Sequence, residues 1–184
     1  MQTKQKLASL GLALALSLAG ASAFAQVMVG GASMLPSKDI IDNAVNSKDH
    51  TTLVAAVKAA GLVDTLKSAG PFTVFAPTND AFAALPAGTV DTLLKPENKA
   101  MLSGILTYHV VAGKMDAAAL TKAIAAGNGK ATLKTVAGGN LTATSAMGGV
   151  TITDEKGGAA KVTIADVYQS NGVIHVVDKV MLPK

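Results

Sequence analysis

The chain has 184 residues, 49% of them hydrophobic but only 3% aromatic, with a formal net charge of +4. All 16 basic residues are lysines, and there is no Arg, Trp or Cys. That composition excludes bidentate guanidinium contacts to phosphates and base edges, leaves few rings for nucleobase stacking, and rules out disulfides and cysteine chemistry; nucleic acid is not an expected partner.

Lys4 and Lys6 precede an apolar run from Leu7 to Ala19, and Ala23-Phe24-Ala25 sets small residues three and one before a cut ahead of Gln26. Residues 1–25 therefore read as a signal peptide. A spanning helix needs roughly 20 apolar residues, whereas Gly20 and Ser22 interrupt this run and no second one of that length follows. Export of a Cys-free chain by such a signal points to a bacterial protein, secreted or periplasmic, with no membrane insertion after cleavage. Removal of the signal leaves 159 residues, the size of one domain. Two of the lysines leave with it, so 14 face 12 acidic residues and the remaining net charge is small.

Residues 26–36, with Gly30, Gly31, Ser33 and Pro36, read as a flexible lead-in, and the domain proper as 37–184. From Ile40 to Ala69 the pattern is helical: Leu53, Val57 and Ala60 form one stripe, Asp49 or Thr51 is placed to cap it, and Gly61 to close it. Phe72 to Phe75 reads as a strand. In the Thr78-Asn79-Asp80 turn, Thr78 or Asn79 is suited to cap a helix bearing Phe82 and Leu85. A helix after Pro96 is expected to set Met101, Leu102, Ile105 and Leu106 on one face and to run into Tyr108-His109-Val110-Val111. Asp116 is suited to cap an Ala-rich helix that Gly127 ends. Beyond Lys130, β-branched residues alternate with polar ones between the pairs Gly138-Gly139, Gly148-Gly149 and Gly157-Gly158, which are hairpin signals. The last strand, Val173 to Leu182, is mostly apolar on both faces. Helices first and a meander second define an α+β domain.

Catalytic motifs are lacking. No G-x-S-x-G elbow occurs, and Gly31-Ala32-Ser33 lacks its final Gly. His50, His109 and His175 stand about sixty residues apart without metal-ligand spacing, so no metal or cofactor is expected. Asp154-Glu155 beside Gly157-Gly158 reads as a solvated hairpin. Asn171-Gly172 tolerates positive φ and reads as a sharp turn into the last strand. His109 and His175, among branched apolar residues, are expected to be buried and partnered, with His109 tied to the Thr78-Asn79-Asp80 turn.

Three segments carry a family resemblance: Phe72-Thr73-Val74-Phe75-Ala76-Pro77-Thr78-Asn79-Asp80, then Tyr108-His109-Val110-Val111, then Ser170-Asn171-Gly172-Val173-Ile174-His175 continuing to Pro183. In this order the chain resembles the fasciclin domain family. The resemblance implies a two-sheet β-wedge with several helices packed at one edge, secretion or surface attachment, and no established catalytic residues. It also implies cell adhesion or extracellular-matrix binding through a protein or glycan partner. In animal members, adhesion has been ascribed to a Tyr-His segment and to an Asp-Ile pair. The corresponding positions are Tyr108-His109 and Asp166-Val167, where Val167 departs from the Ile of the pattern. Tyr108, His109, Asp166, Val167 and Tyr168 are thus the candidate partner-binding residues. Thr78, Asn79, Asp80, His109, Asn171, Gly172 and His175 form the structural motif. The alternatives are a structural envelope or biofilm-matrix component without a specific partner and, remotely, a hydrolase.

Overall fold

A computed structural model describes residues 26–146 and 148–184; the expected signal peptide lies outside these residues. Residues 26–36 are not a loose lead-in. Val27–Val29 (β1) and Ala32–Met34 (β2) pair antiparallel across Gly30-Gly31, both at left-handed φ (58° and 77°). Positive φ at both central residues is what the twist of a two-residue hairpin requires. Val29 and Met34 are each 3% exposed, which anchors the hairpin in the core.

The helical stretch breaks into Ile40–Ala44 (α1), a 3₁₀ turn at Lys48–His50, Thr51–Ala60 (α2) and Val63–Lys67 (α3). Gly61 ends α2 in the left-handed conformation, as a helix C-terminus favours. The expected cap at Asp49 or Thr51 is absent. Instead Asn79, distant in sequence, accepts a hydrogen bond from Thr52 N at 3.0 Å and donates to the Lys48 carbonyl at 2.8 Å.

Phe72–Pro77 (β3) leads to Asn79–Ala83 (α4), whose Ala81 N donates to the Thr78 hydroxyl at 3.2 Å. Thr89–Leu93 (α5) and Lys99–Tyr108 (α6) follow, and Val110–Ala112 (β4) continues directly from α6. On α6, Leu102, Ile105 and Leu106 are buried, but Met101 is 59% exposed. Adjacent helical residues lie 100° apart, so Met101 and Leu102 cannot share the narrow face that packs.

Asp116 caps Ala117–Ala126 (α7) by accepting from Ala119 N at 2.8 Å. The meander then runs through Lys130–Lys134 (β5), Asn140–Ala146 (β6), Gly149–Thr153 (β7), Ala159–Gln169 (β8) and Gly172–Val177 (β9). The last strand is shorter than expected, and all six of its residues are buried.

The sheet order is β4-β3-β9-β8-β7-β6-β5, antiparallel throughout except for β3 beside β9. The eleven-residue β8 belongs to both halves of the wedge. Its first residues pair with β7, the rest pair with β9, and the register slips between Val162 and Val167. Bulges bend a strand and increase its twist, and here the bend lets the two edges approach: a bridge joins Val111 to Thr135, and Val136 N donates to the Val110 carbonyl at 2.8 Å. Two apolar cores result. One, with Phe75, Tyr108, Leu120, Leu141, Ile152 and Val177, fills the inside of the curled sheet and is covered by α7. The other, with Ile41, Leu53, Val57, Leu102, Val74 and Ile174, lies between the helices and the sheet.

Candidate functional site

His109 follows the last turn of α6. Its Nε2 accepts from Met181 N at 2.9 Å, which leaves Nδ1 protonated and donating to the Ile105 carbonyl at 2.8 Å. Burial lowers its pKa to about 4, so the ring is neutral at ordinary pH. The tie therefore runs to the C-terminal segment and not, as expected, to the Thr78-Asn79-Asp80 turn. That turn serves helices instead: Thr78 caps α4, Asn79 caps α2, and Asp80 lies in the first turn of α4, where a carboxylate meets the positive end.

Tyr108 belongs wholly to the interior. It is 0% exposed; its hydroxyl donates to the Asn140 carbonyl at 2.8 Å and accepts from Glu155 N at 3.0 Å. Val167 is 1% exposed. Tyr108, His109 and Val167 are therefore corrected from contact residues to core residues, because the apolar neighbours that made the segment resemble a binding motif are the residues they pack among. Asp154 is likewise no solvated hairpin residue. Its carboxylate is buried and accepts from the backbone N–H groups of Lys156, Gly158 and Leu182, fixing the β7–β8 turn to the C-terminal segment.

Asn171 and Gly172 join three elements. The Asn171 side chain accepts from Ile40 N at 3.1 Å and donates to the Leu66 and Ser68 carbonyls at 2.7 and 3.0 Å. Positive φ, expected at Gly172, is not found there. Glycine is needed because a Cβ would be driven into the Phe72 carbonyl oxygen of the neighbouring strand.

The remaining candidates, Asp166 and Tyr168, do come together on the surface. Asp166 sits in the irregular part of β8 at φ 59°. Its backbone N approaches Nδ1 of His175 at 3.4 Å, and its carboxylate accepts from Ala117 N, the start of α7, at 2.6 Å. His175 donates through Nε2 to the Met115 carbonyl at 2.7 Å, and burial pushes its pKa down. Thr73 accepts from Met115 N at 2.8 Å and donates to the Gly113 carbonyl at 2.6 Å. The segment 113–117 is thereby fastened to β3, β8 and β9.

On this base stands a partly exposed cluster. The Tyr168 hydroxyl points at Asp116 Oδ2, 3.4 Å away, and Lys114 Nζ lies 4.7 Å from the centre of the Tyr168 ring. Burial, followed by the nearby Asp166 and Asp116 charges, raises the Tyr168 pKa, so the phenol stays protonated. Sequence reasoning found Asp116 only as a cap and missed Lys114. Their signal is a shared spacing, since the cap that starts α7 and the lysine two residues before it flank one loop. Among the described residues, no three His, Asp or Glu side chains gather in a metal-binding group.

A fasciclin domain model matches residues 48–183, and the chain belongs to the fasciclin domain family. It is 53% identical over 144 residues to Protein sll1483 of Synechocystis sp., covering 78% of this chain and 73% of that one. Immunogenic protein MPB70 of Mycobacterium bovis is 38% identical over 145 residues, 76% of this chain and 66% of its own. Transforming growth factor-beta-induced protein ig-h3 of Sus scrofa is 36% identical over 148 residues, which are 80% of this chain but 20% of that protein. Among solved structures, a FAS1 domain pair of the insect cell adhesion molecule Fasciclin I superposes with a TM-score of 0.70 at 18% identity, covering 79% of this chain and 51% of that one. This likeness carries the fold, and the α+β wedge with helices at one side agrees with the expectation from the resemblance.

Proposed function

We propose that the protein is an exported adhesion module, secreted or periplasmic, that binds a protein or glycan of a cell surface or extracellular matrix through the face formed by Lys114, Asp116, Asp166 and Tyr168. The observation that carries this reading is the partly exposed Tyr168 ring, beside Lys114 and the carboxylates of Asp116 and Asp166, on a segment fastened through Gly113, Met115 and Ala117. Interface energy concentrates in a few aromatic anchors, and Tyr168 is the tyrosine that is not committed to the core. A pre-fastened loop loses little conformational freedom on binding, which favours affinity. Support also comes from the names of relatives: Fasciclin I is described as a cell adhesion molecule and MPB83 of Mycobacterium bovis as a cell surface glycolipoprotein.

Immobilised protein should retain cells or matrix extract well above an albumin-coated surface. Retention no greater than that on albumin counts against the proposal, and concentration-dependent self-association in its place supports a structural matrix component. The export half of the reading is checked by N-terminal sequencing of material outside the cytoplasm, which should begin at Gln26 and not at Met1.

A further inference from the structure

The helix side of the molecule, away from the face just described, contains a cavity of about 50 Å³ whose walls include Ile41, Leu53, Val57, Leu66, Val74 and Ile174. None of the described lining residues carries an acidic or lysine side chain. The buried polar groups in the wall are mostly engaged, Thr65 being exposed at its rim: Thr107 returns its hydroxyl to carbonyls of its own helix, and both ring nitrogens of His109 are bonded. His50 is the exception. It is 3% exposed and its Nδ1 pairs with the Ser47 hydroxyl at 2.9 Å, but Nε2 is, among the described residues, the buried side-chain nitrogen or oxygen left without a hydrogen bond. The Ala76 carbonyl lies within hydrogen-bonding reach of the imidazole and favours its protonated form, but its geometry does not complete a bond to Nε2.

Water is a poor tenant for this space. A buried water makes about two to four hydrogen bonds, and this wall offers a water at Nε2 of His50 only the Ala76 carbonyl besides, with apolar side chains around the rest of the space. One water needs roughly 10–15 Å³ of such volume, so the cavity admits a chain of several heavy atoms. A charged ligand is disfavoured because the wall offers no counter-charge and burial keeps the His50 ring neutral. A hydroxyl suits the position whichever nitrogen of His50 holds the proton. It can accept from Nε2–H while donating to the Ala76 carbonyl, or donate to a bare Nε2.

We propose that this cavity binds a small uncharged aliphatic alcohol, with its hydrocarbon chain among the helix and sheet side chains and its hydroxyl on Nε2 of His50. The site is independent of the adhesion face and stands or falls separately.

The test is NMR of the purified protein titrated with 1-pentanol, with xenon as a purely apolar probe. Both should shift the methyl resonances of Ile41, Leu53, Val57 and Ile174, and pentanol should give intermolecular NOEs to the His50 ring. Absence of methyl shifts with both probes, or of the ring NOEs, overturns the proposal in the unmodified protein. In the double variant Ser47→Ala, His50→Phe, which leaves no hydroxyl unmatched, xenon shifts should persist while pentanol affinity falls about fivefold, the worth of one net hydrogen bond. Unchanged pentanol affinity in that folded variant would assign the binding to apolar contact alone and overturn the role of His50. Val54→Phe, which thickens the cavity wall, should abolish the pentanol shifts; their survival would place the alcohol elsewhere.

Discussion

Two glycine and histidine positions show how single atoms set this structure. Gly172 has no room for a methyl group because the Phe72 carbonyl occupies that space. Gly172→Ala should therefore lower the unfolding free energy by about 1–3 kcal/mol, the usual cost of overpacking, in a urea melt; a neutral result would mean that β3 and β9 can separate freely. Asn171-Gly172 was legible in the sequence as a special pair, but its reason was not, because close approach by another strand leaves no local signature. His109 is similar. Its burial could be read from Val110 and Val111, whereas its partner at Met181 depends on how the C-terminal segment returns. His109→Phe keeps the ring volume but leaves Met181 N buried and unpaired, a loss of about 1–3 kcal/mol. Equal midpoints and slopes for parent and variant in the same melt would show that this bond is dispensable.

At the scale of elements, the strongest local signals held. Thr78 and Asp116 cap α4 and α7, Gly61 closes α2, and Phe72–Phe75 lies within β3. The N-terminal hairpin was also written locally, in Gly30-Gly31 between Val27–Val29 and Ala32–Met34, yet three-residue strands are too short to show alternation against a glycine-rich background. The cap of α2 was illegible because it comes from Asn79, 27 residues away from Thr52. The Tyr168 cluster was half legible: Asp166 and Tyr168 were found, whereas Lys114 joins them only through the fastening of α7 to β8. One glycine lies inside a helix without any such duty. Gly104, in α6, has open space where a Cβ would stand. Gly104→Ala should raise stability by about 0.5–1 kcal/mol, the helix-interior difference between the two residues. A destabilised Gly104→Ala protein in thermal melting would reveal a neighbour packed on that face.

The whole molecule is built on neutral imidazoles, with His50, His109 and His175 all buried and all held below the ordinary histidine range by desolvation. Since their folded pKa values lie below the unfolded value of about 6.5, the unfolded chain binds more protons in between, and stability rises with pH there. The contribution is present above pH 6.5 and is lost as pH falls, for His109 down to about 4. For His109 alone the loss across that window is of order 3 kcal/mol. Denaturant melts between pH 6.5 and 4 should show falling stability, with a shallower slope in His109→Phe. Equal slopes in parent and variant would mean that the ring titrates without unfolding cost.

Binding at the α7–β8 face is tested most directly by adhesion of matrix extract to immobilised Tyr168→Ala, with Lys179→Ala as an exposed control outside the cluster and melting temperatures checked for both. An aromatic anchor is worth more than about 1 kcal/mol, so Tyr168→Ala should lose at least about fivefold in adhesion while Lys179→Ala matches the parent. A folded Tyr168→Ala protein that adheres as well as the parent would contradict the assignment of this face.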